Sequence, residues 1–261
     1  MPDIEYEVAE GIATIRLNRP ERKNAFTPDM VDRWVDLLHE ARADPGVRVL
    51  VLTGTGDAFC SGVDLDRRGD GMPATPVGRK QFLSDRVHRI PLTLEDLDKP
   101  VIAAINGTAI GAGLDMALMC DMRVMARSAR LSEGYIRVGL VPGDGGCYYL
   151  PRLVGVAKAL ELLLTGDFVD AEEAVRIGLV NRAVDDNELE AAVAALARKI
   201  ADLHPVAVRM IKRATYQSLR TDLRTALDLI SSHTGVLGSM QDTAEAMTAF
   251  REKRKPKFTG R

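Results

Sequence analysis

The sequence has 261 residues, near the upper end for one compact domain, and its 46% hydrophobic content can supply one substantial core. A formal net charge of −2 with 28% charged residues excludes the broad basic surface that nucleic acids or anionic membranes attract. Cys60, Cys120 and Cys147 are odd in number and lack C-x-x-C spacing, which argues for reduced thiols over a disulfide frame or a zinc site, and the histidines show no ligand spacing. No run reaches the roughly 18 to 20 apolar residues of a membrane span. The start, MPDIEYEVAEGIATIRL, lacks the basic end and apolar block of a signal peptide, so a cytoplasmic protein is expected.

In chain order, Ile4 to Val8 and Ile12 to Leu17 flank Glu10-Gly11 and predict a hairpin. Thr27 followed by Pro28 predicts a capped helix start, with Val31, Trp34, Leu38 and Ala41 as its apolar stripe. Val47 to Thr53 reads as the next strand and runs into the loop GTGDAFCSGVDL, Gly54 to Leu65. Arg67 to Gly78, polar and rich in Gly and Pro, predicts a mobile loop that admits a substrate, and a helix is expected over Arg79 to Leu97. Val101 to Ile105 predicts a buried strand, Leu114 to Met119 a helix apolar on nearly every side, and Met122 to Ala126 a further strand. A helical turn near Ser132 to Arg137, a VPGDGG turn and a helix near Ala157 to Leu164 continue the alternation, which predicts an α/β fold. From about Glu188 onward the pattern is helical only, with Leu219 to Lys253 broken near Gly235 and Gly238.

The stretch from Lys99 to Asp121, KPVIAAINGTAIGAGLDMALMCD, carries the chemistry. A buried helix start leaves backbone N–H groups unpaired and carries a partial positive charge, so it is suited to negative charge. Gly107, Gly111 and Gly113 permit close approach to the backbone. The spacing is not G-x-G-x-x-G, so a developing oxyanion fits better than a dinucleotide. Upstream, Cys60, Ser61 and Gly62 would expose the N–H of Val63, and two donors from separate strand-end loops could converge on one oxygen.

With NRPERKNA (18–25), AFCSGVDL (58–65), VGLVPGDGG (138–146) and the tail FREKRKPKF (250–258), in this order, the chain resembles the crotonase superfamily, the enoyl-CoA hydratase/isomerase family, over nearly its whole length. The resemblance implies a spiral of ββα units over residues 1–200, holding the active site, and a C-terminal helical region over 201–261 for oligomerisation and coenzyme A cover. It implies an oxyanion hole at the N–H groups of Val63 and Ala112, and an acyl-CoA thioester as substrate with no permanently bound cofactor and no metal. A homotrimer or a dimer of trimers is expected. Arg22 and Lys23 either hold the coenzyme A phosphates or form a solvated turn. Ala25, Ser61, Asp64, Leu65 and Gly111 are expected along the substrate, with Phe250 and Lys253 covering the nucleotide of a neighbouring subunit.

The acid and base positions depart from the family. Typical hydratases of the family place glutamates where this chain has Asp115 and Tyr135. Aspartate retracts its oxygens by about 1.5 Å, and a phenol of pKa about 10 donates hydrogen bonds but is no ordinary base at neutral pH. Glu133 lies two residues from Tyr135, a separation of about 200° on an α-helix, and reads as a poor substitute. Family isomerases commonly carry an acid directly after the proline of the glycine turn; here that residue is Gly143 and the acid, Asp144, comes one later. Asp144 either reaches the site or accepts N–H groups of its own turn. Asp115 either serves the site or pairs with an arginine. Enoyl-CoA isomerisation is the first reading, hydration the second, in fatty-acid or related acyl-CoA metabolism. A decarboxylase, a hydrolase and a catalytically silent CoA-ester binding protein remain as alternatives.

Overall fold

The computed structural model describes residues 1–67 and 73–261. Strands β1 (Ile4–Ala9) and β2 (Ile12–Leu17) form the expected antiparallel hairpin, with Ile4 opposite Leu17. Helix α1 (Pro28–Ala43) starts on Thr27, whose hydroxyl accepts from Met30 N–H, and Val31, Trp34, Leu38 and Ala41 are all buried. Then follow β3 (Val49–Gly54) and β4 (Ala58–Cys60), a three-residue strand inside the segment expected to be loop. Part of the expected mobile loop, 68–72, lies outside the described residues. Its end is helical: Thr75 caps α2 (Pro76–Phe82), a π turn spans Leu83–Val87, and α3 (Arg89–Asp96) follows. The helix therefore starts before Arg79, because Thr75-Pro76 repeats the cap chemistry of Thr27-Pro28.

Next come β5 (Val101–Ile105), β6 (Thr108–Ile110), α4 (Ala112–Leu118), β7 (Met122–Ala126), β8 (Leu131–Ser132) and a 3-10 turn, Gly134–Val138. Helix α5 (Gly146–Val154), which carries Pro151 in its interior, was not expected; α6 (Val156–Thr165) was. They lead to α7 (Ala171–Arg176), β9 (Arg182–Val184) and α8 (Leu189–Ala201). Three helices end the chain: α9 (Pro205–Ser218), α10 (Leu223–Gly238) and α11 (Gln241–Glu252). The break falls at Ser239 and Met240, and Gly235 continues α10.

Among the described residues, six strands form a sheet in the order β1-β2-β3-β5-β7-β9, parallel from β2 onward, and β4-β6-β8 form a second parallel sheet. Each of three successive chain turns sends its first strand to the long sheet and its second to the short one before passing into helical segments, which is a ββα spiral. Strands β3 and β5 are buried along their whole length, so they read as continuous apolar runs. The core between sheet and helices holds Trp34, Phe59, Ile102 and Leu114. The α4 end is anchored by Arg123, whose buried guanidinium donates to Cys120 O at 2.6 Å and Leu179 O at 2.8 Å. A cation at a helix C-terminus complements its dipole. Arg48, just before β3, donates to Ala201 O at 2.9 Å and to Phe258 O at 3.2 Å, tying the end of α8 and the chain's tail to the body.

Candidate active site

The parallel pairing of β4 with β6 brings the ends of two loops together. Gly62, at φ +94°, redirects the chain before Val63, and a β-carbon placed on it would stand 3.5 Å from the N of Ala112. The loop is fixed from the other side, where Phe26 N–H donates to Gly62 O and Asp64 N–H to Phe26 O. That pairing skips the N–H of Val63. Ala112 opens α4, so its N–H has no intrahelical acceptor, and neither N–H donates a hydrogen bond among the described residues. Gly113 lets α4 sit directly on β4, since a methyl there would fall 2.0 Å from Cys60 O.

Behind this pair, four acidic or phenolic side chains converge. The Tyr135 hydroxyl lies 2.6 Å from Asp115 Oδ2 and 2.9 Å from Asp144 Oδ2. Asp115 is 0% exposed, Asp144 3% and Tyr135 9%. The alternatives weighed for the two aspartates do not occur: Asp115 takes its hydrogen bond from a phenol and not from an arginine, and Asp144 turns away from its own loop toward Tyr135. His88 Nε2 lies 2.8 Å from Gly143 O, and since a carbonyl only accepts, that nitrogen carries a hydrogen and tethers the Asp144 turn.

Burial raises the pKa of Asp115, and the Asp144 charge adds to it, against the Tyr135 hydrogen bond. Burial likewise raises Asp144, opposed by Tyr135 and by His88. Tyr135 moves up from the ordinary phenol range because burial and two carboxylates disfavour a phenolate. Glu133, set aside in the sequence reading, is part of this cluster. Its backbone, φ −80° and ψ 51°, is not helical, and the turn it precedes is 3-10, so the 200° separation does not apply.

The segment 22–25 is attached to the Val63 loop by Ser61, whose N–H donates to Lys23 O and whose hydroxyl lies 3.2 Å from Arg22 O. Arg22 and Lys23 are at the surface, paired with Asp66 and Asp57. Ala25 is buried beneath them, its carbonyl accepting from Arg19. Asp64 points inward to Arg19 at 2.9 Å, so its carboxylate holds the loop, whereas Leu65 is exposed. Gly111, buried at φ +54°, donates its N–H to Ser132 O and links α4 to β8. Phe250 and Lys253 stand exposed at the end of α11.

The family model for enoyl-CoA hydratase/isomerase matches residues 7–261. The chain belongs to the enoyl-CoA hydratase/isomerase family. Among relatives, a crotonyl-CoA hydratase of Syntrophomonas wolfei is 38% identical over 259 residues, covering 98% of this chain and 97% of that one. A 1,2-epoxyphenylacetyl-CoA isomerase of Escherichia coli is 38% identical over 258 residues, covering 97% of each. The crystal structure of an enoyl-CoA hydratase from Bacillus anthracis superposes with a TM-score of 0.94 at 34% identity and full coverage of both chains. The expected crotonase-type α/β fold is therefore established for this member of the enoyl-CoA hydratase/isomerase family. Among the described residues no helix is long and apolar enough to cross a membrane, and no group of His, Cys, Asp and Glu has the arrangement of a metal site.

Proposed function

We propose that the chain acts on an acyl-CoA thioester, holds the thioester oxygen between the N–H groups of Val63 and Ala112, and shifts a double bond of an enoyl-CoA. A base removes a proton beside the thioester carbonyl, the electron pair moves onto the oxygen to give a dienolate, and the proton returns two carbons away. One oxyanion donor is worth about two to four kcal/mol of transition-state stabilisation. Asp144 and Asp115 exchange the proton. The observation that supports this is the Tyr135 hydroxyl at 2.9 and 2.6 Å from the two carboxyls. A tethered phenol oxygen occupies the space where a water bridging the carboxylates would have to sit, which favours moving a proton over adding water.

Coenzyme A enters as part of the substrate. Arg22 and Lys23 are suited to its phosphates, because their present ion pairs are solvent-exposed and readily exchanged. Hydration is the second reading, favoured by the names of the relatives. A panel of crotonyl-CoA and 3-enoyl-CoA substrates separates the two, and failure to turn over either leaves an acyl-CoA decarboxylase, a hydrolase or a silent CoA-ester binding protein. In the isomerase, Asp144→Asn lowers turnover by about two to four orders of magnitude with CoA-ester binding nearly unchanged. A silent Asp144→Asn alongside an inactive Asp115→Asn would transfer the reaction to the helix carboxylate and to the hydratase reading.

A further inference from the structure

Glu133 takes no part in the chemistry above, yet it is 1% exposed and neither of its carboxyl oxygens has a hydrogen-bond partner among the described residues. Oδ1 of Asp115 is equally buried, and the Gly146 backbone N–H beside it makes no well-aligned hydrogen bond to it. The two carboxyls press on one point of the backbone: a β-carbon on Gly146 would stand 2.6 Å from Asp115 Oδ1 and 2.8 and 2.9 Å from the Glu133 oxygens. Among the described residues the titratable groups that act on or with the cluster are Cys147 and Tyr149 from α5, Cys60 from β4 and His88, and none of these is a lysine or arginine. A buried carboxylate without a donor or a cation is costly. Two adjacent carboxyls satisfy one another when one keeps its proton and donates it.

We propose that Glu133 is a positioning residue that keeps its proton and donates it to Asp115 Oδ1, making Glu133, Asp115, Tyr135 and Asp144 one hydrogen-bonded series. Three links need three protons on four groups, which leaves one negative charge. The single phenol proton cannot serve both 2.6 and 2.9 Å contacts, so one aspartate donates to Tyr135 while the other accepts from it. The charge passes from Asp115 to Asp144 when the phenol proton moves to Asp115 and the Asp144 proton moves to the phenol oxygen. No phenolate is formed, and Glu133 holds Asp115 in place throughout. Burial and the neighbouring carboxylates act in the same direction, pushing Glu133 above the usual carboxyl range. The role in proton transfer rests on the isomerisation reading; the protonated state of Glu133 does not.

Infrared spectroscopy of the intact protein at pH 8 tests the protonation without turnover. Two protonated carboxyls, Glu133 and one aspartate, are expected to contribute C=O absorption in the wild type, and Glu133→Gln should remove one contribution; a wild type without such absorption, or a variant in which it is undiminished, overturns the proposal. Kinetics test the positioning. Glu133→Leu, which removes the donor, should lower kcat about tenfold at neutral pH with KM little changed and move the acid limb of the pH profile up by about one unit. Glu133→Gln, whose amide still donates, should restore the wild-type limb. A limb unmoved in Glu133→Leu, or an inactive folded Glu133→Gln, overturns it. A wild type that shows the infrared band but does not isomerise 3-enoyl-CoA retires the isomerase reading and leaves the protonation standing.

Discussion

Tyr135 brings a single proton to two carboxyls, and removing its oxygen is the most direct cut across the cluster. Tyr135→Phe keeps the ring and its packing, so kcat should fall by about two to three orders of magnitude while KM stays within a few-fold, measured on a 3-enoyl-CoA. Equal activity would take the phenol out of the reaction. Glu133 makes a second prediction, about stability. Its folded pKa is raised by burial and by Asp115, so the folded protein binds the extra proton and this group's contribution is full below the ordinary glutamate pKa of about 4.3 and is lost as pH rises above it. Glu133→Gln cannot lose that proton, so the Tm of the variant relative to the wild type should climb between about pH 5 and pH 9. A constant difference would show that Glu133 ionises normally. Asp115 and Tyr135 were candidates from sequence because they stand where the family places glutamates, and Asp144 because it lies one residue past the acid position of the glycine turn. Glu133 was not, since a helical angle was applied to a residue that lies between β8 and the 3-10 turn with a ψ of 51°, outside both helix and strand. An acid between Leu131-Ser132 and a glycine was the signal available.

The two N–H groups proposed as oxyanion donors belong to elements, and α4 offers a clean test. Ala112 is the first residue of the helix, where proline is accepted because the N–H is unused by the helix. Ala112→Pro should keep the fold, with Tm within a few degrees, and cut turnover by about two to three orders of magnitude while acetoacetyl-CoA still binds. Activity equal to the wild type would remove this N–H from the mechanism. Long strands such as β3 and β5 were readable as apolar runs. The short strands β4, β6 and β8 were not, because two or three residues carry no period and their pairing exists only once the spiral closes. Helix α5 was hidden by its glycine start and by Pro151.

At the scale of the whole molecule, apolar side chains remain uncovered on two faces. Leu160, Leu164 and Phe168 are exposed on and beside α6, and Leu223, Leu227 and Met247 on α10 and α11. Patches of this kind mark association surfaces. Light scattering at micromolar concentration should report a trimer or a pair of trimers, and a monomer would refute the assembly expected for the helical region beyond 200. Composition gave no hint of which faces these are; only the packed helices reveal which apolar residues are left over. The arm formed by α9, α10 and α11 leaves the body at Ala201 and returns to it at Phe258, and both points are hydrogen-bonded to the guanidinium of Arg48. In mechanical terms the arm is a handle riveted along one side, because α9 is also held to the body by Arg209 on Asp98 and Lys212 on Asp121. Tension applied to the chain's tail meets Asp242, which holds Thr259 and Gly260, and then Arg48, so the load is shared between the arm's own last helix and the body.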